Sequence, residues 1–475
     1  MENTFNNLTS KEWLPFQKSW FIEESKKETY RYYLRFFMKF DIPCPPNILF
    51  WGSDNDKETI KEVCSDLGAN LYLKDSQKRP DDEFQYVLVD LRNIIFDNWD
   101  KYQLQKNELI DFLDKIYSKI KHRRFLSIFI PNVIQNDRYE PFAWDMAKTV
   151  STGLTLKDEK IGCYNQDTND TNNEFPFAAN IFYTLQFRND ENCGGTFSLP
   201  ECNYSEQIKL SNNNFKKRNL SSWGIIKPKP RSKKEILHPA KFPEEFIERF
   251  INIFSEKGDN IFDPMSGTGS TQIAAMQLER NGYGTELSPF FSKIANERCN
   301  EFLDPTQKKL FHEKKDAEYK ILNKDARKIN KDDFPEIDYI ITSPPYWDML
   351  NMKGAENQAK RKEKGLKLSY SESDQDLGNI NEYDLFLEDL MNIYWNVLEL
   401  LKPGGVITII VKNIKKKGTN YPFAYDLANH FQKEYKLLPE FFWLQDDISI
   451  APYGYSNTFV TNTFHQYCLS FQKPI

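Results

Sequence analysis

Apolar and polar residues change rhythm several times along residues 235–475. Phe246, Ile247, Phe250, Ile251 and Phe254 recur at helical spacing through 244–254. Asn260-Ile-Phe-Asp263 is a short apolar run followed by the turn Pro-Met-Ser-Gly-Thr-Gly-Ser-Thr271, and a helical pattern continues through Ala274, Ala275 and Leu278. Residues 282–286, 337–342 and 406–411 read as further strands. The amphipathic stretch 382–401 stops at Lys402-Pro-Gly-Gly405, a helix stop and tight turn. Strands alternating with helices predict the α/β class, a doubly wound, largely parallel Rossmann-like sheet.

The first half echoes this order. Pro141-Phe-Ala-Trp-Asp-Met-Ala147 matches Pro422-Phe-Ala-Tyr-Asp-Leu-Ala428 at five of seven positions. The same ungapped register lays 125–130 on 406–411 and Asn132 on Asn413. Residues 84–90 resemble 337–342, 47–50 resemble 260–263, and 180–187 resemble 463–471. Matches kept in one order predict an internal duplication. The expected domains are a degenerate copy over 1–190, a basic linker over 191–234 and a catalytic copy over 235–475. Residues 207–234 carry nine Lys or Arg and no Asp or Glu, which suits a solvated linker. In the first copy, Asp54 and Asp56 fall where Gly267 and Gly269 sit, and Val89-Asp-Leu-Arg-Asn93 stands in place of Ser-Pro-Pro-Tyr. That copy is therefore expected to serve as an internal dimer partner and recognition platform.

A length of 475 residues suits two to four domains at roughly 150 residues each. With 40% apolar and 28% charged residues the chain has a globular composition. No run approaches the ~20 apolar residues of a membrane span, and the first residues lack a basic and apolar leader, so a cytoplasmic location is expected. Seven scattered cysteines, no Cys-x-x-Cys and five histidines argue against a disulfide framework and a zinc site; no metal is expected. The net charge of −6 leaves nucleic-acid affinity to local basic patches.

The chemistry concentrates at strand ends. Gly267 and Gly269 would let a ligand approach the backbone between a strand and a helix. The spacing is neither that of a phosphate P-loop nor Gly-x-Gly-x-x-Gly. Glu286, ending the next strand, could take both hydroxyls of a ribose. Asp325, before the following strand, could accept from an adenine amino group. Thr342-Ser-Pro-Pro-Tyr-Trp347 is the most specific segment. Its prolines fix φ and remove two donors, so the chain leaves the sheet in a rigid turn that aims Ser343, the Pro344 carbonyl and Tyr346 at the cleft.

On these residues, 235–475 resemble the S-adenosylmethionine-dependent DNA amino-methyltransferases, which methylate N4 of cytosine or N6 of adenine. Asp263-Pro-Met-Ser-Gly-Thr-Gly looks like their cofactor loop, Thr-Ser-Pro-Pro-Tyr-Trp like their catalytic motif, and His238-Pro-Ala-Lys-Phe-Pro like the segment covering the methionine end of the cofactor. The resemblance implies S-adenosylmethionine held by His238, Phe242, Asp263, Ser266, Gly267, Gly269, Glu286 and Asp325. It implies catalysis by Ser343, Pro344, Pro345 and Tyr346. Ser at 343 points to N4 of cytosine, with N6 of adenine, an RNA amine, or a non-catalytic DNA-binding subunit as alternatives. No separate target-recognition domain fits between the motifs. DNA contacts are therefore expected from Trp347, Lys360, Arg361, Lys362, Lys364, Lys415 and Lys416. The implied partners are double-stranded DNA and a cognate restriction endonuclease or defence subunit.

Overall fold

The computed structural model describes residues 3–475 except 42, 77–82, 95–97, 136–137, 166–174, 191–192, 200–214, 216–219, 228–242, 305–316, 346, 348–376, 417–418, 447–449, 451–453, 457–458 and 460–461. Two sheets organise it. The first half supplies β1 (Trp20–Ile22), β2 (Asn47–Trp51), β3 (Asn70–Leu73), β4 (Phe84–Asp90), β5 (Ile120–Ile130), the hairpin β6 (Val133–Gln135) and β7 (Arg138–Glu140), β8 (Thr155–Cys163) and β9 (Ile181–Arg188). The second supplies β10 (Trp223–Ile225), β11 (Asn260–Asp263), β12 (Asn281–Thr285), β13 (Tyr319–Leu322), β14 (Ile337–Thr342), β15 (Leu401–Val411), the hairpin β16 (Ile414–Lys416) and β17 (Thr419–Tyr421), β18 (Lys436–Leu437), β19 (Phe441–Leu444) and β20 (His465–Gln472).

The first sheet runs β1-β8-β9-β5-β4-β2-β3 and the second β10-β19-β20-β15-β14-β11-β12-β13, with β18 against β20. Strand for strand the two orders agree, β13 and β18 being additions. In each sheet one strand (β9, β20) pairs antiparallel with the strands on both sides of it. Single hydrogen bonds recur too. Asn70 Nδ2 donates to Asn47 Oδ1 at 3.1 Å, and Asn281 Nδ2 to Asn260 Oδ1 at 3.0 Å.

Two expectations change. The strand expected at 406–411 begins at Leu401, which pairs with Ile337 before residues 402–405 loop out and Val406 resumes beside Tyr339. Residues 121–124 loop out of β5 in the same way. The stretch 191–234 is more than a linker, because Trp223–Ile225 pairs in parallel with Phe442–Leu444 and Trp223 is buried.

The halves meet through a reciprocal set of contacts. Asn132 and Asn413 each accept a backbone N–H at the head of the next helix, from Ala143 and Ala424, both at 2.9 Å. Each then donates across: Asn413 to Glu159 at 2.7 Å, Asn132 to Glu440 at 3.3 Å. Tyr467 and Tyr183 do the same, both at 2.6 Å, joined by Tyr425 on Glu159 and Tyr139 on Glu440. Glu159, opposite Leu185, and Glu440, the residue before β19, lie at equivalent places in the two sheets. Trp144 and Tyr425, also equivalent, stack on each other with centroids 5.2 Å apart and planes at 18°. Residue i meeting j while j meets i is the signature of a two-fold interface, here inside one chain. Burial raises the Glu440 carboxyl, and its neutral donors offset only part of that. Burial acts on Glu159 as well, but His465, with Nε2 at 3.5 Å, and the tyrosines hold it below the usual carboxylate range.

Candidate active site

The second sheet reverses its winding between β11 and β14: β12 and β13 follow on one side, β14 and β15 on the other. Ligands of open α/β sheets bind at such a point, above the carboxyl ends of the strands. Here the two strand ends are joined. Asp263, the last residue of β11, is buried, and its Oδ1 accepts from Thr342 Oγ1 at 2.8 Å and from Met265 N at 3.0 Å. Its Oδ2 accepts from Thr271 Oγ1 at 2.7 Å. Burial pushes the Asp263 carboxyl up, and these three donors act against it.

The glycine turn is built on that carboxylate. Ser266 Oγ donates to the Asp263 carbonyl at 2.9 Å, and Gln272 Nε2 reaches both Ser266 Oγ and the Tyr283 carbonyl at 2.9 Å. Gly267 and Gly269 have φ of +53° and +79°, left-handed values that favour glycine. A Cβ on Gly269 would come within 3.2 Å of Ala295. Glu286 faces the loop: one carboxylate oxygen takes Gly267 N–H at 2.9 Å, the other Ser288 N–H at 2.8 Å. Backbone glycines beside a half-exposed carboxylate suit the nucleoside part of a cofactor, with the acid on the ribose hydroxyls. Asn323 Nδ2 bonds the Glu286 carbonyl at 2.8 Å, which brings the Asp325 segment alongside. Asp325 caps a short turn and is engaged by the Arg327 guanidinium at 2.9 Å. Burial raises its carboxyl, but Arg327 outweighs that and holds it low.

Ser343, Pro344 and Pro345 follow β14 directly at the same edge, Pro344 buried and its two neighbours partly so. Tyr346, His238, Phe242, Lys360, Arg361, Lys362 and Lys364 lie outside the described residues.

Three residues expected at DNA are placed otherwise. Trp347 is 3% exposed, edge-on to Tyr421 at 4.9 Å and to Tyr383 at 5.3 Å. Lys416 Nζ sits 3.8 Å from the centre of the Trp347 ring. Lys415 Nζ is bound to buried Asp158 of the first half at 2.5 Å. Burying an indole and pairing two ammonium groups within the protein leaves little of them for a phosphate.

Sequence reasoning passed over Thr342 and Thr271, whose hydroxyls carry the Asp263 network; their only signal was adjacency to the two motifs. It also passed over Lys412, where burial pushes the ammonium down to about 8 and whose Nζ donates to Gln445 Oε1 at 3.2 Å. Among the described residues no group of three His, Cys, Asp or Glu could hold a metal, and no helix is long and apolar enough to cross a membrane.

The equivalent place in the first half is filled from within. Register puts Phe50 at the position of Asp263 and Asp90 at that of Ser343. The helix after β2 begins at Asp54, capped by Ser53, so Asp54 and Asp56 lie in its first turn and not in a loop like that of Gly267 and Gly269. Arg92, at the position of Pro345, binds Asp90 and Glu23, both at 2.6 Å, with its guanidinium 4.3 Å from the Phe182 ring. Tyr30 OH closes on Asp90 at 2.6 Å.

A family model described as DNA methylase matches residues 75–297 and 337–474, well over half of the chain and parts of both halves. The chain belongs to the DNA methylase family. Among this chain's curated relatives, the Type II methyltransferase M.MjaI of Methanocaldococcus jannaschii is 40% identical over 76 residues, 16% of this chain and 25% of the relative. The orphan methyltransferase M.BamHII of Bacillus amyloliquefaciens is 42% identical over 66 residues, 14% of this chain and 25% of the relative. The chain thus spans about a quarter of the length of these two relatives. A solved structure described as a putative rRNA-methylase from Clostridium thermocellum aligns with a TM-score of 0.29 at 10% identity, over 50% of this chain and 98% of that one.

Proposed function

We propose that this methylase transfers a methyl group from S-adenosylmethionine to the exocyclic amine of a base in double-stranded DNA, the N4 amine of cytosine. The observation that carries the reading is the Asp263 carboxylate, which ties the glycine turn to Thr342, the residue before Ser343-Pro344-Pro345. Cofactor loop and catalytic turn thereby share one anchor. Membership of the DNA methylase family supports the substrate class. The words Type II methyltransferase in a relative's name support methyl transfer as the activity; double-stranded DNA and a cognate endonuclease are the partners this reading expects.

In this reading Gly267, Gly269, Ser266 and Asp263 form the cofactor cradle, Glu286 holds the ribose, and Asp325 lies towards the adenine side. His238 and Phe242 would cover the methionine end. Bound S-adenosylmethionine supplies an electrophilic methyl on a sulfonium. The chain's own task is to make the amine a nucleophile. An exocyclic amine is a poor one, because its lone pair is delocalised into the ring. Ser343 Oγ and the Pro344 carbonyl accept its two N–H bonds, which draws the nitrogen towards sp³ and returns density to it. The prolines hold both acceptors in fixed geometry, and positioning supplies much of the rate. Tyr346 stacks on the base after rotation out of the duplex. Ser at 343 supports cytosine.

The test is transfer of tritiated methyl to unmethylated bacterial DNA, followed by nucleoside separation. The expected label is N4-methylcytosine, falling at least ~100-fold in Ser343→Ala, the lower range for a lost proton-handling group. Label in N6-methyladenine would overturn the base assignment. Cofactor binding with no transfer to any DNA would overturn the activity.

A further inference from the structure

Resting on that reading, a second role for the N-terminal half emerges from where the two-fold symmetry breaks. Most contacts across the interface come in twins, as for Glu159 and Glu440. Among the described residues, two lysine–aspartate bridges do not. Lys415 of the β16–β17 hairpin pairs with Asp158 of β8, whereas the equivalent positions hold Ile134 and Pro439. Tyr383 OH donates to Asp426 at 2.7 Å as Tyr102 OH donates to Asp145 at 2.6 Å, so that pair is twinned. The cations differ. Asp145 takes Lys106 from its own half at 2.8 Å, while Asp426 takes Lys148 from the other half, also at 2.8 Å.

Both lysine bridges lead to the same ring. Lys415 fixes the hairpin whose Lys416 and Tyr421 pack on Trp347, and Asp426 fixes Tyr383, which packs there too. Trp347 ends the turn that Thr342 begins. With Thr342 held by Asp263 and Trp347 by this aromatic box, Ser343-Pro344-Pro345 is tethered at both ends. At the position of Trp347 the filled copy has Ile94, and its turn is held by Arg92 instead.

We propose that the N-terminal half positions the catalytic turn of its partner half, Asp158 and Lys148 acting through Lys415 and Asp426 on Trp347. They are positioning residues: a loosened far tether lets the two acceptors leave the amine without touching the cofactor cradle.

The experiment compares Asp158→Asn combined with Lys148→Met against the parent chain. Expected are a fall in kcat of about tenfold or more, the loss that misplacement remote from the chemistry produces, with cofactor affinity and KM for DNA within about twofold. Faster hydrogen exchange at Ser343 and Trp347 and an unchanged melting curve should accompany it. Swapping one pair, Asp158→Lys with Lys415→Asp, should restore most of the kcat lost in Asp158→Lys alone. An unchanged kcat would overturn the proposal. So would a fall matched by loss of cofactor affinity or of melting temperature, which marks a merely structural role. If the parent chain methylates no DNA, the functional reading fails and the exchange measurement still decides: unchanged protection at Ser343 and Trp347 in the double variant overturns the positioning role.

Discussion

Arg123 sits at φ +61° where its twin Gly404 sits at +77°. Both close the same loop-out, Arg123 N bonding the Asn189 carbonyl at 2.8 Å and Gly404 N the Lys473 carbonyl at 3.0 Å. A left-handed conformation costs a side-chain-bearing residue roughly 1–2 kcal/mol, and glycine's extra unfolded-state entropy returns part of that. Arg123→Gly should therefore stabilise the chain by about 0.5–1 kcal/mol, read as a higher urea midpoint at unchanged slope; a lower midpoint would show that Arg123 makes compensating contacts. The turn was legible at Lys402-Pro-Gly-Gly405, where glycines announce it. It was silent at residues 121–124, where a strained arginine does the same work.

Strands and motifs were the most legible elements. The bounds of β4, β11, β14 and the helix Glu244–Phe254 coincide with the apolar runs that predicted them. Each is an apolar run bounded by polar or turn residues, with helical or strand spacing that admits one reading. Asp54 and Asp56 fall opposite Gly267 and Gly269 as the register predicts, but local capping puts them in a helix and not in a loop. Ser53 with Asp54 and Asp56 starts a helix, since side-chain acceptors and negative charge suit its free N–H groups. Trp347 was misjudged because adjacency to a catalytic motif does not say which side of the turn a ring takes. In the cofactor cradle, a Cβ on Gly284 would meet Ser266 Oγ at 2.2 Å and the Asp263 carbonyl at 2.6 Å. Since the backbone oxygen cannot swing aside, Gly284→Ala should displace the glycine turn. The expected cost is about 1–3 kcal/mol of stability together with a loss of cofactor affinity, read by thermal melting and by titration with S-adenosylmethionine. Wild-type affinity in that variant would show that the loop is not where the cofactor binds.

At the scale of the whole molecule, one strand order occurs twice, in two halves joined face to face, and the halves differ in what fills their clefts. The shared strand order was legible in the sequence because the segments around Trp144 and Tyr425 match at the same spacing. The interface could not. Glu159 and Glu440 read as ordinary polar positions at strand edges, and only the fold shows each receiving an Asn and tyrosines from the opposite half. Parting the halves would strip these buried carboxylates of their donors, and leaving a buried carboxylate unpaired is strongly destabilising, which favours keeping the halves together. One cleft holds glycines around a shared carboxylate; the other holds Arg92 locked between Asp90 and Glu23. One cofactor site per chain is therefore expected. Calorimetric titration with S-adenosylmethionine measures this directly. A stoichiometry of one, abolished by Asp263→Ala and untouched by Arg92→Lys, is the expected result; a stoichiometry of two, or binding that survives Asp263→Ala, would contradict it.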